Sequence, residues 1–223
     1  MKLVYSEMEM KLDLSKQCPC EWIIESPELF SKFVQELLKQ KDGAEGIFVL
    51  CDADKELDFS KYVDIIVNPF HVDINEKRIL NKLYADLGSI AYGEELYLET
   101  QKMMSDIEQY FYELEHRSPY ILEIQQEIDI IAILKAIGVK FENPAEDFFE
   151  NIIQYIKIAG ELFKTKVMIF INPRSFFTGE QLENIYETAM YNEIALLYVE
   201  NIQRGFSSNC KRYIIDNDYC EIY

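Results

Sequence analysis

The sequence predicts an α/β fold into which a helical region is inserted. Val167 to Ile171 is a run of five apolar residues without a polar break, which is typical of a strand buried on both faces of a parallel sheet. Thr178 and Gln181 follow with the spacing of a helix capping box, and a second apolar run, Ile194 to Val199, comes after that helix. A strand, a helix and a strand in this order predict a βαβ unit with a right-handed crossover.

The first 70 residues predict further strands around one helix. Residues 2–5 and 8–14 alternate between apolar and polar side chains, which predicts a hairpin, and Trp22 to Ile24 predict a third strand. Ser26 and Pro27 are typical of an N-cap and a first-turn proline, and Gly43 ends the helix. Two more strands are predicted at Ile47–Leu50 and Val63–Val67, and a closing hairpin at Lys211–Ile215 and Tyr219–Tyr223.

Between residues 75 and 163 the pattern changes to that of long helices. Four are predicted: Ile79–Leu87, Glu94–Arg117, Leu122–Ile137 with Gly138 as its end, and a helix that begins at Asn143-Pro144-Ala145-Glu146 and is apolar over much of its circumference. We therefore predict a discontinuous α/β domain of residues 1–74 and 164–223, and an inserted helical domain of residues 75–163.

Composition limits the class of protein. The 223 residues are 49% hydrophobic, which is sufficient for a proper core, and neither a run of membrane-spanning length nor a signal-peptide pattern occurs. Five cysteines include the pair Cys18 and Cys20, for which no second pair with metal-ligand spacing exists. We expect reduced core thiols in a cytoplasmic protein without a membrane partner.

The net charge of −18 argues against general nucleic-acid binding, but the charges are unevenly distributed. Residues 94–150 contain fourteen acids and four bases, whereas residues 152–174 contain four bases and one acid. The basic candidates are Lys135, Lys140, Lys157, Lys164, Lys166 and Arg174, several of which fall near the point where the two predicted domains rejoin. They are either solvated surface cations or one patch that follows a DNA backbone without reading bases.

Motifs for nucleotide hydrolysis and serine hydrolysis are absent from the sequence. No stretch matches the G-x-x-x-x-G-K-[ST], G-x-G-x-x-G or G-x-S-x-G patterns, and the chain has only eight glycines. The acidic stretch from Asp52 to Asp58 has Leu57 where a calcium loop needs glycine and Val63 where it needs glutamate, so we interpret it as a solvated loop. His116 at a helix end fits a dipole-stabilising cation better than a catalytic base.

Acidic residues cluster around the third and fourth predicted helices. Glu123 and Glu127 are four residues apart and would share a helical face, and Glu142 begins a second cluster with Glu146, Asp147 and Glu150. Some of these acids would simply favour a helix dipole or aid solubility. The alternative is a site for a hard cation such as Ca²⁺, which prefers carboxylate oxygens.

Several segments together resemble one known family. They are Pro27–Phe30 with the following FVQEL, Val67–Leu87, Ile133–Asn143, KTKVMIFIN from Lys164, the strand ending LLYVE, and RYIIDNDYCEIY at the C-terminus. Their order and spacing resemble the adaptation protein specific to subtype II-A CRISPR systems, and the resemblance extends over nearly the whole chain.

The resemblance implies an α/β head that is P-loop-ATPase-like but lacks the phosphate loop, and a helical leg. It also implies a homotetrameric ring with a lysine-lined hole that accepts the ends of linear double-stranded DNA, with calcium ions bound by acidic residues of the leg. The family acts in spacer acquisition alongside the CRISPR integrase complex and the effector nuclease, without established catalysis of its own.

Carried over to this sequence, the resemblance identifies Lys135 and Lys140 as the foremost DNA contacts, followed by Lys157, Lys164 and Lys166. For calcium it indicates Glu127, and less directly Glu123 and Glu142. The chain departs from the family's acidic run just before Glu127, where it has Ile124, Gln125 and Gln126. The leading hypothesis is a non-enzymatic ring that binds DNA ends. The alternatives are a metal-dependent nuclease or ATPase-derived enzyme, and an interaction scaffold without affinity for DNA.

Overall fold

A computed structural model describes residues 1–5, 11–53, 55–123, 128–142, 147–205 and 210–222. The strands within these ranges are β1 (Lys2–Tyr5), β2 (Lys11–Asp13), β3 (Cys20–Ile24), β4 (Phe48–Asp52), β5 (Lys55–Leu57), β6 (Val63–Ile66), β7 (Val167–Ile171), β8 (Ala195–Glu200), β9 (Lys211–Ile215) and β10 (Glu221–Ile222). The α-helices are α1 (Pro27–Lys41), α2 (Phe59–Tyr62), α3 (Lys77–Ala91), α4 (Tyr97–Arg117), α5 (Ile130–Ala136), α6 (Phe148–Leu162) and α7 (Gly179–Tyr191), with 3₁₀ turns at Pro69–His71 and Pro173–Ser175. None of the helices described is both long and apolar enough to cross a membrane.

The strands form two sheets, which gives a mixed α/β fold. The larger sheet has the order β10-β9-β3-β8-β7-β6, and all of its strands are parallel except β10. The predicted βαβ unit is confirmed, because β7 and β8 are parallel neighbours that pair Ile169 with Leu197, and α7 connects them. The smaller sheet has the order β2-β1-β4-β5 and is antiparallel throughout.

The smaller sheet contains a hairpin that the sequence did not predict. The hairpin of β1 and β2 was expected, but β4 also pairs with β5, and Asp52 lies opposite Lys55. Ala53 has a φ of 53° at this turn. The turn brings Glu56 into register with Cys51. The acidic stretch that we interpreted as a solvated loop is therefore largely β-strand.

Four aromatic rings hold the smaller sheet and α1 against the centre of the larger sheet. Trp22 of β3 stacks on Phe33 of α1 with ring centroids 5.2 Å apart, and Tyr5 of β1 lies 4.9 Å from Phe33. Phe48 of β4 meets Trp22 edge-on at 6.1 Å. All four rings are buried, so this cluster contributes both apolar burial and favourable ring geometry.

Both predicted ends of α1 and the predicted start of α7 are confirmed. The Ser26 hydroxyl accepts from the backbone N–H of Leu29, Pro27 occupies the first turn of α1, and Gly43 follows the helix with a φ of +92°. Thr178 and Gln181 form both hydrogen bonds of the predicted capping box at the start of α7.

The chain forms two compact units, and their boundary differs from the predicted one. The first unit is Met1–Ile74 with Asn143–Tyr223, and the second is Asn75–Glu142. Helix α6, which we assigned to the helical domain, therefore belongs to the first unit. Because α6 is apolar around most of its circumference, it needs cover on more than one side, and it packs against α7 and the 3₁₀ turn at Pro69–His71.

Helix α5 is shorter than predicted. It was expected to run from Leu122 to Ile137, but it begins at Ile130, where the Asp129 carboxylate accepts from the N–H of Ile131 at 2.9 Å. The cap sets the start of the helix, and Gly138, with a φ of +72°, follows its end as predicted. The predicted helix start at residues 143–146 lies outside the described residues, and the Asp147 carboxylate caps α6.

The assignment of α6 to the first unit can be tested through Tyr155, whose hydroxyl donates to the Asp64 carboxylate of β6. Both residues are buried, so removal of the hydroxyl leaves a buried carboxylate with one donor fewer. We expect Tyr155→Phe to lower the free energy of unfolding by about 2 kcal/mol in urea denaturation.

Tyr186→Phe is the matched control, because its hydroxyl donates to the Gln17 carbonyl oxygen at an exposed site. Its loss should cost less than about 1 kcal/mol. Equal losses in the two variants would contradict the role assigned to Tyr155.

Candidate nucleic-acid interface

Lys135 and Lys140 lie on either side of the turn that ends α5. Both side chains are exposed, and the Lys135 ammonium group lies 5.9 Å from the centroid of the Tyr84 ring. The Tyr84 hydroxyl donates to the carbonyl oxygen of Val139 at 2.9 Å, which anchors the backbone beside Lys140 to α3. Lys140 is thus an exposed cation on a restrained segment, which lowers the entropy lost when it binds an anion.

The segment after Lys140 is anchored as well. The Asn75 side chain accepts from the N–H of Phe141 at 2.9 Å and donates to its carbonyl oxygen at 3.1 Å. One amide side chain therefore satisfies both polar backbone groups of Phe141, in the way that a neighbouring strand would. Lys140 is restrained from both sides.

The next three candidates, Lys157, Lys164 and Lys166, lie in the first unit. Lys157 is exposed on α6, and Lys164 is exposed at the end of that helix, with a φ of 54°. The next residue, Thr165, donates its N–H to the carbonyl oxygen of Ala159, which completes a left-handed helix end. Lys166 is half-buried, 3.4 Å from Asp52.

Arg174, the last basic candidate, takes part in a buried ion cluster within the fold. Its Nε donates to the Glu21 carboxylate at 2.8 Å, and the Arg212 Nε donates to the other oxygen of Glu21 at 2.6 Å. Glu21 is fully buried on β3, and the Arg174 side chain is 19% exposed. Arg174 therefore neutralises a buried carboxylate, and it has less freedom to bind a ligand than the exposed lysines have.

A second buried carboxylate lies beside this cluster. Glu200, at the end of β8, accepts from the backbone N–H of Arg174 at 2.9 Å, and its Oε2 has no hydrogen-bond partner among the residues described. Burial raises the pKa of Glu200, although the hydrogen bond from Arg174 and the charge of Arg204 act in the opposite direction. Arg204 donates to the Arg174 carbonyl oxygen at 2.6 Å and to Ser175 Oγ at 3.1 Å.

Phosphate loops run from a strand to the N-terminus of the next helix, and the connection from β3 to α1 is of this strand-to-helix type. It contains only Glu25 and Ser26, and Pro27 at the helix start has no N–H to donate. The Glu25 N–H donates to the carbonyl oxygen of Ile215, and the Ser26 hydroxyl caps the helix. This connection is too short to wrap around phosphates, which agrees with the missing sequence motif.

Comparison with known proteins establishes the family. A family model described as CRISPR-associated protein (Cas_Csn2) matches residues 40–219. The chain belongs to the Csn2 family of CRISPR-associated proteins. The CRISPR-associated protein Csn2 of Enterococcus faecalis is 24% identical over 98% of this chain and 97% of its own length. The Csn2 protein of Streptococcus agalactiae is 24% identical over 88% of this chain and 86% of its own length.

One solved structure of another protein resembles this Csn2-family chain weakly. It is a putative ABC transporter ATP-binding protein from Pyrococcus furiosus, which covers 95% of this chain and 97% of its own chain. The TM-score is 0.42 and the identity 9%, a likeness that supports no conclusion about fold or function. The resemblance to the CRISPR adaptation protein is confirmed at the level of the family by the sequence comparisons alone.

The carboxylates predicted to bind calcium are only partly described in this Csn2-family chain. Glu123 is exposed and lies outside any helix, so the helical face that it was expected to share with Glu127 does not form at Glu123. Glu127 lies outside the described residues, and Glu142 is exposed at the end of the second unit. No three histidine, cysteine, aspartate or glutamate side chains within the described ranges are close enough to hold a metal ion.

The six basic candidates are divided between the units. Lys135 and Lys140 lie in the second, and the other four lie in the first. Sequence reasoning missed Glu21, Arg212, Arg204 and Glu200, which form or border the buried cluster. A signal for it exists in the sequence, because Glu21 and Glu200 fall within or at the end of apolar strands, where a charge requires a partner.

The buried state of Glu200 predicts a pH-dependent stability. The pKa of Glu200 is higher in the folded state than in the unfolded state, so its contribution to stability is fully present below the unfolded-state pKa. That contribution is lost as the pH rises through the folded-state pKa, because the buried side chain then ionises. Glu200→Gln removes the ionisation and keeps an oxygen for the Arg174 N–H. We expect the variant to be more stable than the unmodified protein by about 1 kcal/mol at pH 8, with the difference shrinking toward low pH.

Urea denaturation at several pH values measures this difference. Glu187→Gln, an exposed position on α7, controls for the loss of a surface glutamate. A Glu200→Gln effect that is constant with pH, or destabilising at pH 8, would contradict the assignment.

Proposed function

We propose that this Csn2-family chain is a non-enzymatic protein that binds the ends of double-stranded DNA during CRISPR spacer acquisition, and that it acts as a calcium-stabilised tetrameric ring. Family membership across residues 40–219 is the observation on which the proposal rests, because it establishes the CRISPR association. DNA-end binding, the tetrameric ring and its calcium ions are implied by the sequence resemblance to the adaptation protein of subtype II-A CRISPR systems. In this proposal the first unit is a P-loop-ATPase-like head and the second unit is the leg.

Charge supports DNA contact at particular positions. The chain as a whole carries −18, so nonspecific adhesion to DNA is disfavoured over most of the surface. Lys135 and Lys140 are exposed and restrained, and Lys157 and Lys164 are exposed in the first unit. Contacts from such lysines to phosphates are independent of base sequence, which suits a protein that accepts any DNA end.

The structure of the β3–α1 connection supports the non-enzymatic part of the proposal. Two residues separate strand from helix, and the capping hydroxyl and the proline leave no cradle of free N–H groups for a nucleotide phosphate. A head of this form would act as a scaffold for assembly and would not hydrolyse ATP.

The composition of the second unit supports a role for cations. Residues 75–142 contain thirteen acids and seven bases, and Glu123 and Glu142 are exposed. Carboxylate oxygens are the ligands that Ca²⁺ prefers, and bound cations would relieve the mutual repulsion of these acids. The proposed ligands are Glu123, Glu127 and Glu142.

The proposed partners are other proteins of the same CRISPR system. The chain would act in the cytoplasm as a homotetramer, together with the CRISPR integrase complex and the effector nuclease of the same system. Threading through a closed ring would explain a preference for free ends, since a closed circle offers no entry.

A gel-shift comparison of linear and closed circular plasmid of the same sequence tests the proposal. We expect binding to the linear form alone, with an affinity that falls by about 0.9 decades per decade of salt for each phosphate neutralised. The double variant Lys135→Gln/Lys140→Gln should bind more weakly and reduce the salt slope by about 2.

Lys82→Gln/Lys102→Gln is the control, since it removes two exposed lysines from the same unit. Equal affinity for the circular form would remove the threading hypothesis. Cleavage of the linear duplex in Mg²⁺ or Mn²⁺ would favour the nuclease alternative, and absence of binding to either form would favour an interaction scaffold.

Calcium dependence of the assembly is a separate prediction. We expect sedimentation analysis in Ca²⁺ to give four times the chain mass of 26.3 kDa, and smaller species in a chelator. Glu142→Gln should raise the Ca²⁺ concentration required for assembly, whereas Glu99→Gln, an exposed acid on α4, should not. A mass unaffected by chelation would exclude calcium as the stabilising cofactor.

A further inference from the structure

The first unit contains a groove with a positively charged lining in an otherwise acidic chain. The groove has a volume of about 570 Å³, and its charged side chains are Lys2, Lys16, Lys166, Lys211, Asp13 and Asp52. Glu193 pairs with Lys16 at 3.1 Å from outside the lining. Four lysines against these three carboxylates still leave an excess of one positive charge, whereas the whole chain carries −18. The sign of the local field at this groove is therefore opposite to that of the total charge.

Rigid elements of both sheets position these lysines. Lys2 begins β1 and lies opposite Asp13 of β2, and Lys211 begins β9. Lys166 directly precedes β7, where its N–H donates to the Tyr62 carbonyl oxygen and its own carbonyl oxygen accepts from the N–H of Ala195, each at 2.9 Å. The groove thus lies beside the amino ends of β7 and β9.

The ion pairs of the groove lysines are exposed, and those made by Asp13 are long. Asp13 is shared by two ammonium groups, at 4.0 Å from Lys2 and 3.9 Å from Lys211, and both lysine side chains are about half exposed. Lys166 lies 3.4 Å from Asp52. Exposed pairs of this kind contribute little to stability, so an incoming anion with two or more charges can replace the carboxylates at small cost.

The remaining lining indicates which anion would bind. No aromatic side chain is among the described residues that line the groove, so a base would find no ring to stack on. Lysine binds phosphate as a point charge without the geometric demands of a guanidinium fork. This favours a phosphate group over a whole nucleotide recognised through its base.

We propose that this groove is a phosphate-binding site. The phosphate is either that of a free oligophosphate or one carried by a DNA strand, and the second source rests on the proposed function. The ammonium groups of Lys2 and Lys211 hold the phosphate oxygens in place of the shared carboxylate of Asp13, and Lys16 and Lys166 complete the positive wall.

Isothermal titration with inorganic pyrophosphate at low ionic strength tests this inference. The double variant Lys2→Gln/Lys211→Gln is expected to bind about tenfold more weakly, because it removes two charged donors. Asp13→Asn is expected to bind more tightly than the unmodified protein, since it removes the competing carboxylate. A merely structural role of Asp13 would not produce that gain.

Lys39→Gln is the matched control, because Lys39 is a paired lysine of the first unit whose side chain is 59% exposed, against 58% for Lys2. It should change pyrophosphate affinity by less than about twofold. The circular dichroism of each variant should equal that of the unmodified protein.

A second arm compares linear duplexes with and without 5′-phosphates in the gel-shift assay. Weaker DNA binding by Lys2→Gln/Lys211→Gln, together with weaker pyrophosphate binding, would assign the site to phosphate on DNA. Loss of pyrophosphate binding with unchanged DNA affinity would assign it to a free oligophosphate.

Failure of this inference is distinguishable from failure of the proposed function. Pyrophosphate binding by a protein that binds no DNA would leave the inference intact and contradict the proposed function. The inference is overturned if the unmodified protein binds no pyrophosphate, or if Lys39→Gln weakens binding as much as the groove variants do.

Discussion

The pairing of one buried carboxylate connects three elements of the larger sheet. Glu21 is fully buried on β3, where an unpaired charge would cost far more than the fold could compensate. Arg212 reaches it from the neighbouring strand β9, and Arg174 reaches it from the turn after β7. A single carboxylate therefore links the central strand to one of its neighbours and to a connection two strands away in the sheet. Removal of any member of this cluster would leave a buried charge behind.

This cluster limits where ligands can bind in the first unit. Open α/β sheets usually hold their ligands beyond the carboxyl ends of the strands. Here the Arg174 side chain is engaged by the Glu21 carboxylate and Arg204 by the Arg174 carbonyl oxygen, and the β3–α1 connection is two residues long. The exposed lysines lie elsewhere, at the end of α6 and beside the amino ends of β7 and β9. The carboxyl ends of β7 and β8 are thus occupied by internal hydrogen bonds and ion pairs, which is consistent with a binding protein that makes phosphate contacts at other surfaces.

Features of the fold that depend on local sequence were predictable, and those that depend on tertiary contacts were not. The capping box at Thr178 and the βαβ unit follow from residue spacing, so they were identified correctly. The division of the strands into two sheets depends on which strands pair, and no spacing in the sequence specifies this. Helix α6 was predicted as part of the helical domain, whereas it groups with the first unit. An apolar circumference shows that a helix is covered, but it does not identify the covering elements.

The candidate site was predictable to a smaller extent, for the same physical reason. Lys135 and Lys140 were identified and are exposed, whereas Arg174 has a buried partner 153 residues away in sequence. Of the groove lysines only Lys166 was identified, because Lys2, Lys166 and Lys211 are distant along the chain and are brought together only by strand pairing.

Local charge decides what an acidic protein of this kind can bind. At physiological ionic strength the Debye length is about 8 Å, so exposed charges beyond that distance are largely screened. Lys2 and Lys211 each lie within 4.0 Å of Asp13, and an anion in the groove responds to these neighbours and not to the total of −18. The distant acids still slow the approach of DNA to the rest of the surface, especially at low salt. An acidic exterior and short-range positive sites are therefore compatible, and together they confine phosphate binding to the positions that the fold provides.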